Sequence, residues 1–325
     1  MRKRAYLVKS LKIALAALVS IAIAGELGLK NSATAGIITI LSIQNTKRET
    51  LKSAGRRALA FLCALVLAAV IFGLLGFTLP AFGIFLFLFA VLCLNRGWME
   101  ALTTASVLIS HFLAAESMSL GMVINESLLF VIGAGTGILV NLHLHRKSKE
   151  FDRLAEEVDV QIKGILLRMS RWLLAEDKSG YRPDCFEKLE ESLEAAGLCA
   201  AANYNNRLRV QDPYEIEYIV MRRQQAVVLQ GIYENIRSID TLPDQAHAVA
   251  QLLDDIQQQY HKDNTAEEML ARIRRLFEQM REERLPVTRE EFETRAILFY
   301  IMKQMERLIA IKHEFIAKYV VFRCF

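Results

Sequence analysis

The sequence predicts an all-α protein, a six-helix transmembrane bundle over residues 1–145 followed by an antiparallel helical cytoplasmic bundle over residues 146–325. Three observations carry that prediction. Six apolar runs fill the first 145 positions. In that half, Lys and Arg cluster in alternate gaps between the runs. From Arg146 the texture changes to charged, helix-forming sequence in which no stretch alternates like a strand for long.

The runs fall at 11–29, 33–43, 58–77, 81–94, 99–115 and 120–144. A helix rising about 1.5 Å per residue needs about 20 residues to cross the hydrocarbon core. The first, third and sixth runs meet that length, whereas the second and fourth do not cross comfortably alone. The charges decide for full crossing. Arg2, Lys3, Arg4, Lys9 and Lys12 open the chain, and Lys47, Arg48, Lys52, Arg56 and Arg57 fill the loop after the second run. Arg96 sits in the fourth gap, while the odd-numbered gaps hold only Lys30. Cytoplasmic loops retain Lys and Arg, so this rhythm puts both termini in the cytoplasm. Short spans need neighbours to cover their ends, which favours a bundle or an oligomer. A secretory signal is the rival reading of the N-terminus. Arg2, Lys3 and Arg4, the apolar stretch from Ile13 and the small-residue pattern Ala22-Ile23-Ala24 fit one, and cleavage would leave five spans with the same orientation.

The net charge of +4 hides a split, because residues 1–145 hold 12 basic and 5 acidic side chains against 28 and 31 in the remainder. The basic excess therefore lies along the cytoplasmic edge of the membrane half, where anionic head groups or solutes would feel it. No basic stripe with interleaved aromatics marks the soluble half, so nucleic acid is not an expected partner. Cys63, Cys93, Cys185, Cys199 and Cys324 have no ligand-like spacing, and disulfides are not expected.

In the soluble half the pattern gives helices near 146–178, 185–209, 213–239, 244–261, 266–284 and 289–320. Asp184 with Glu187, Asp212 with Glu215, Thr265 with Glu268 and Thr288 with Glu291 each set a capping oxygen three residues before a carboxylate. Pro183, Pro243 and Pro286 punctuate the joints. Leu166, Leu167, Met169, Leu173 and Leu174 recur at helical spacing, as do Leu298, Ile301, Met302, Met305, Leu308, Ile309 and Ile311. About 180 residues of this kind bury a real core as an antiparallel bundle. No Gly or Pro separates Leu144 from Lys163, so the first soluble helix is expected to continue out of the sixth span.

Polar groups inside the runs are the candidate functional residues. Glu100, Thr103, Thr104, Val107, Ser110 and His111 share one face of the fifth run, and Glu126, Phe130, Gly133, Gly137 and Asn141 one face of the sixth. Glu26 stands near the outer end of the first. Ionisable residues in spans are rare and face the bundle interior or an aqueous path. Two readings stay open for Glu26, His111 and Glu126: a permeation or proton-coupling set, with His111 able to titrate near neutral pH, or side chains hydrated at the membrane edge. Gly133-x-x-x-Gly137 permits close helix approach. His143 and His145, at i and i+2, do not share a helix face, and no metal site is expected. The cluster from Lys47 to Arg57 is either topogenic charge or also a funnel for anions, with Arg57 closest to the membrane. No phosphate-cradling glycine loop, H-E-x-x-H or nucleophile elbow occurs, so neither an enzyme, a cofactor nor an ATP-driven pump is expected.

The segment 33–64 resembles the signature of the bacterial aromatic acid exporter family, part of a larger fusaric-acid-resistance superfamily. The second span ends in an apolar–Gln pair, here Ile43-Gln44, and a basic loop and an Arg opening the third span follow, here Arg57. Ala60, Phe61 and Ala64 stand where that family usually includes Gly and Thr. Six spans with a helical cytoplasmic domain are similar to the same family's layout, and the resemblance covers nearly the whole chain. It implies export of organic carboxylates, aromatic ones among them, across the bacterial inner membrane, with the lipid bilayer and a small organic anion as partners. Arg57, Arg56 and Arg96 would then attract the anion, and Glu26, Glu100, Thr104, His111, Glu126 and Asn141 would line or couple its path. Plant aluminium-activated malate channels look similar in layout and assemble as dimers. The alternatives are therefore a dimeric anion channel or, from another class, a membrane-anchored interaction or sensory module.

Overall fold

Capping side chains and glycines set both ends of the third and fourth helices of this chain. The computed structural model describes residues 2–142, 148–175, 177–178, 180, 182–207, 212–239, 243–259 and 266–323, with the backbone alone at 2–6, 9 and 320–323. Among the described residues there are twelve helices and no strand. The chain divides into two compact units, Met1–Arg146 with Asn205–Gln211, and Lys147–Tyr204 with Asp212–Phe325. His143, His145 and the expected continuation of the sixth run into the soluble half lie outside the described residues, as does the expected cap Thr265.

The first unit holds α1 (Arg2–Glu26), α2 (Ala33–Ser42), α3 (Lys47–Leu75), α4 (Leu79–Arg96), α5 (Met99–Ala114) and α6 (Leu120–Leu142). α3, α4 and α6 are long and apolar enough to cross a membrane, and α2 and α5 are shorter apolar helices. The basic stretch 47–57, expected as a loop, is instead the first three turns of α3. Thr46, in extended conformation, accepts the Glu49 N–H at 3.3 Å, and Glu49 places an acid in the first turn where the helix dipole favours it. No proline interrupts α3 before it stops at Gly76, whose φ of 72° suits only glycine well. Thr78 then caps α4 with Pro80 in its first turn, and Gly97 closes that helix in the left-handed region.

α2 is the short element. Ten residues rise about 15 Å, roughly half the hydrocarbon thickness. Beyond it the backbone turns extended at Ile43, which frees a carbonyl that water would otherwise satisfy. Asn141 on α6 meets that need, donating to the Gln44 carbonyl at 2.7 Å and to Thr50 Oγ1 at 2.6 Å. The closest packing in the unit also joins α2 to α6. A Cβ on Gly133 would lie 2.6 Å from the Ala35 carbonyl oxygen, and one on Gly137 would lie 2.7 Å from Ser42 Cβ. Thr39 Oγ1 donates across this seam to the Gly133 carbonyl at 3.0 Å. Small residues here are a condition of contact. On the far side, α3 presents Leu59, Leu62, Val66, Val70 and Leu74 as an exposed apolar row. Its inner row, Ala60, Phe61, Ala64, Ala68 and Ile71, is buried.

The second unit holds α7 (Ser148–Leu173), α8 (Asp184–Asn205), α9 (Tyr214–Arg237), α10 (Gln245–Gln259), α11 (Glu267–Glu282) and α12 (Arg289–Arg323). α7 ends at Leu173, earlier than the expected 178. Asp212 accepts the Tyr214 N–H at 3.0 Å, and Thr288 Oγ1 accepts the Glu291 N–H at 3.1 Å. Asp184 is itself the first helical residue of α8, and the Pro183 carbonyl makes the opening turn's bond to Phe186 N–H. Val158, Ile162, Ile165, Leu166 and Met169 of α7 join Leu298, Ile301, Met302, Met305 and Leu308 of α12 in one core.

That core contains a charge the apolar pattern does not announce. Arg222 is completely buried on α9. Its Nε and Nη2 donate to Tyr218 Oη at 3.1 and 3.0 Å, Nη1 donates to Gln225 Oε1 at 2.8 Å, and Nη2 lies 2.9 Å from Asp159 Oδ1 on α7. Tyr218 donates to the same carboxylate at 2.8 Å, and Gln225 donates to the Leu308 carbonyl of α12. Burial pushes the Tyr218 phenol far above its ordinary value, so it remains a neutral donor. The network joins α7, α9 and α12 with its polar groups bonded to one another.

Removing one partner strands the other in the core. Asp159→Ala is expected to lower stability by about 3–5 kcal/mol, and Asp159→Leu combined with Arg222→Met to recover most of it, in denaturation of the detergent-solubilised chain. A pH dependence follows from Glu291. The Val287 N–H (2.9 Å), then Arg295, holds its carboxyl below the usual carboxylate range. Its contribution is therefore present above that range and fades as pH falls through the lowered value. The acid limb of the melting curve should flatten in Glu291→Gln.

Candidate functional site

The polar residues of the first unit lie along a line set by the register of α3, α5 and α6. Asn141 meets Thr50 at one level and Phe130 stacks on Phe61 at another, with ring centroids 5.2 Å apart, so α6 runs opposite to α3. His111 on α5 meets Glu126 on α6, and Ser53 on α3 meets Glu100 on α5. α5 therefore runs with α3, and successive turns of both helices face one another.

At one end of this line a cleft of about 470 Å³ is lined by Thr46, Arg48, Lys52, Ser53, Arg56 and Glu100, among others. Its cations are the exposed side of the basic turns of α3. Ser53 Oγ donates to Glu100 Oε2 at 2.6 Å. One turn farther along α3 lies Arg57, only 4% exposed, whose Nε and Nη1 have no hydrogen-bond partner among the described residues. One turn beyond Glu100 on α5 lies Thr104, whose hydroxyl is likewise buried without a partner. Unmet donors on a buried cation are costly, and they require either a reason or a guest.

At the other end His111 Nδ1 lies 2.7 Å from Glu126 Oε2, and its Nε2 lies 3.5 Å from Thr34 Oγ1 on α2. Glu126 is fully buried, and its second oxygen accepts from Asn125 at 2.9 Å. Asn125 also exchanges two hydrogen bonds with the backbone of Lys30. The acid, the imidazole and two neutral groups thus tie α2, α5, α6 and the turn before α2 together.

The structure brings Arg57, Glu100, Thr104, His111, Glu126 and Asn141 onto one line, with Arg56 at the cleft. Glu26 and Arg96 stand exposed at the ends of α1 and α4. Thr103 is exposed and Ser110 bonds its own helix at the Val107 carbonyl, so the polar stripe of α5 is narrower than its spacing suggests. Gly133 and Gly137 make the seam with α2. Ser53, Thr50, Thr34 and Asn125 are additions that the sequence reading passed over. Thr50, Ser53 and Arg57 share one helix face, a pattern visible only once the 47–57 stretch is read as helical.

Apolar helices packed around a buried polar line, with outward rows of Leu and Val, are the build of a multi-pass membrane protein. Comparison with known families makes the class specific. The family model for aromatic acid exporter family member 1 matches residues 6–144, and that for the aromatic acid exporter C-terminal domain matches residues 148–313. The chain belongs to the aromatic acid exporter family, a family of membrane transporters. The uncharacterized protein YqjA of Bacillus subtilis (strain 168) is 29% identical over 307 residues, covering 94% of this chain and 95% of its own length. A crystal structure of a membrane protein from Clostridium difficile 630 is similar at 20% identity with a TM-score of 0.45, covering 50% of this chain and 97% of its own.

The seam beside the polar line can be tested with paired glycines. Gly133→Ala puts a methyl where the Ala35 carbonyl stands, whereas a methyl at Gly135 meets open space. Gly133→Ala is expected to cost about 1–3 kcal/mol and Gly135→Ala close to nothing, read as melting temperatures of the detergent-extracted protein.

Proposed function

We propose that this chain exports organic carboxylates, aromatic ones among them, across the bacterial inner membrane. In this reading residues 1–145 form a six-span transmembrane domain, residues 146–325 form a helical cytoplasmic domain, and both termini are cytoplasmic. Two copies assemble, since α2 is too short to cross unaided. The observation that carries the reading is Arg57, a buried guanidinium with two donor nitrogens unmet among the described residues, beside a cleft lined by Arg48, Lys52 and Arg56 together with Glu49 and Glu100. A guanidinium presents a planar fork that matches a carboxylate, and the rim raises the local concentration of anions. Thr104 offers a hydroxyl at the same level. Farther along, His111 and Glu126 form a bonded ionisable pair within the apolar unit, which favours coupled export over a simple channel. The sensory alternative leaves Arg57 without a purpose.

The test uses the full chain in proteoliposomes loaded with benzoate. Arg57→Ala is expected to lower flux at least about tenfold while leaving the melting temperature unchanged or raised, because removing an unpaired buried charge relieves the fold. Unchanged flux removes Arg57 from the path. Collapse of the proton gradient by an ionophore stops a coupled exporter, whereas a channel keeps running on the benzoate gradient alone.

A further inference from the structure

We propose that Glu100 is a tethered counter-ion for Arg57, a carboxylate of the chain itself that competes with a substrate carboxylate for the guanidinium. The inference rests on the reading of Arg57 as the anion-binding group and adds to it how that site is kept when empty.

The geometry begins with the 2.6 Å bond from Ser53 to Glu100, which fixes α3 and α5 at one level. Four residues on, each helix presents its next side chain on the same face, Arg57 from α3 and Thr104 from α5. Arg57 Nε, Arg57 Nη1 and Thr104 Oγ1 are all buried donors without a protein acceptor. The carboxylate whose charge bears on Arg57 is Glu100. Glu100 is exposed in the cleft, and the hydroxyl that holds it there belongs to the turn before Arg57. One anionic side chain thus sits a single helical turn from a buried guanidinium, with a neutral hydroxyl holding it back.

Such an arrangement has a defined effect on binding. A tethered carboxylate acts at high effective concentration, so it weakens every anion's apparent affinity in proportion to its occupancy of the site. The factor is the same for every anion, so chloride, which cannot span the guanidinium fork and binds more weakly to begin with, falls furthest below a useful affinity. Glu100 therefore sets a threshold that carboxylates clear more readily than small inorganic anions. Ser53 tunes the threshold, because the bond it donates is one that Glu100 gives up on swinging toward Arg57.

The experiment is benzoate and chloride flux in proteoliposomes of the full chain, with KM and kcat resolved separately. Glu100→Gln is expected to lower the benzoate and chloride KM by the same factor, up to about twofold. Ser53→Ala, which frees Glu100 to reach Arg57, is expected to raise the benzoate KM. Opposite shifts from two bonded neighbours are not what general damage to the α3–α5 contact would give. A benzoate KM unchanged or raised in Glu100→Gln overturns the tethered counter-ion, and so does a Ser53→Ala variant with lowered KM should Glu100→Gln fail to fold. Absence of carboxylate flux in the wild-type chain overturns the exporter reading itself, and this inference with it.

Discussion

A guanidinium withdrawn from water inside an apolar helical unit is the constraint around which the first unit is arranged. Removing a cation from water costs several kcal/mol unless a partner compensates, and Arg57 has two nitrogens with none. The surroundings place compensation within reach without completing it. Glu100 stays one turn away on the neighbouring helix, held by Ser53, and Thr104 leaves its hydroxyl unused. The second unit solves the same problem in the opposite way. Arg222 is buried more deeply, yet Asp159, Tyr218 and Gln225 take up its donors, and the result is a pin through three helices. The two units thus hold one buried arginine whose donors are taken up and one with two donors unmet among the described residues, and the second is the group proposed to bind an anion.

The rest of the first unit follows from keeping that site open on one side and sealed on the others. α2 stops after ten residues, and α3 restarts with its basic turns beside the cleft. The break between them would leave a carbonyl bare in a membrane, and the Asn141 amide covers it. Asn141 therefore holds the break together and is committed to that task. The glycines of α6 let α2 approach closely enough for Thr39 to bond across the seam, which keeps the half-length helix in place. At the far end Glu126 and His111 close the line with a bonded pair.

Much of this was legible in the sequence, for identifiable reasons. The apolar runs and the polar face of the sixth run survive into the structure because helical periodicity acts on every residue of a helix alike. Thr288 bonds to the Glu291 N–H as its spacing suggests, since caps are local, whereas Asp212 bonds two residues on, to Tyr214, ahead of a helix whose cap position is Pro213. The start of α3 was misplaced because five cations in eleven residues look like a loop between spans. Thr46 and Glu49, a capping pair three residues apart, were the signal that could have corrected it. Ser53 was missed for the same reason, its place on the Arg57 face being invisible in a loop. Glu26 and Arg96 stand exposed at helix ends, a placement that charge and run boundaries do not announce. The Arg222 network was out of reach of pattern reading, because a buried arginine interrupts an apolar face in the same way that an exposed one does.

The central claim is that Arg57 waits for an anion, and the direct measurement is a structure of the lipid-embedded protein soaked with 4-bromobenzoate. The account predicts the carboxylate within about 3 Å of the Arg57 guanidinium, with Glu100 still bonded to Ser53. Arg57 paired with Glu100 at saturating 4-bromobenzoate, with the bromine found elsewhere or nowhere, would contradict it.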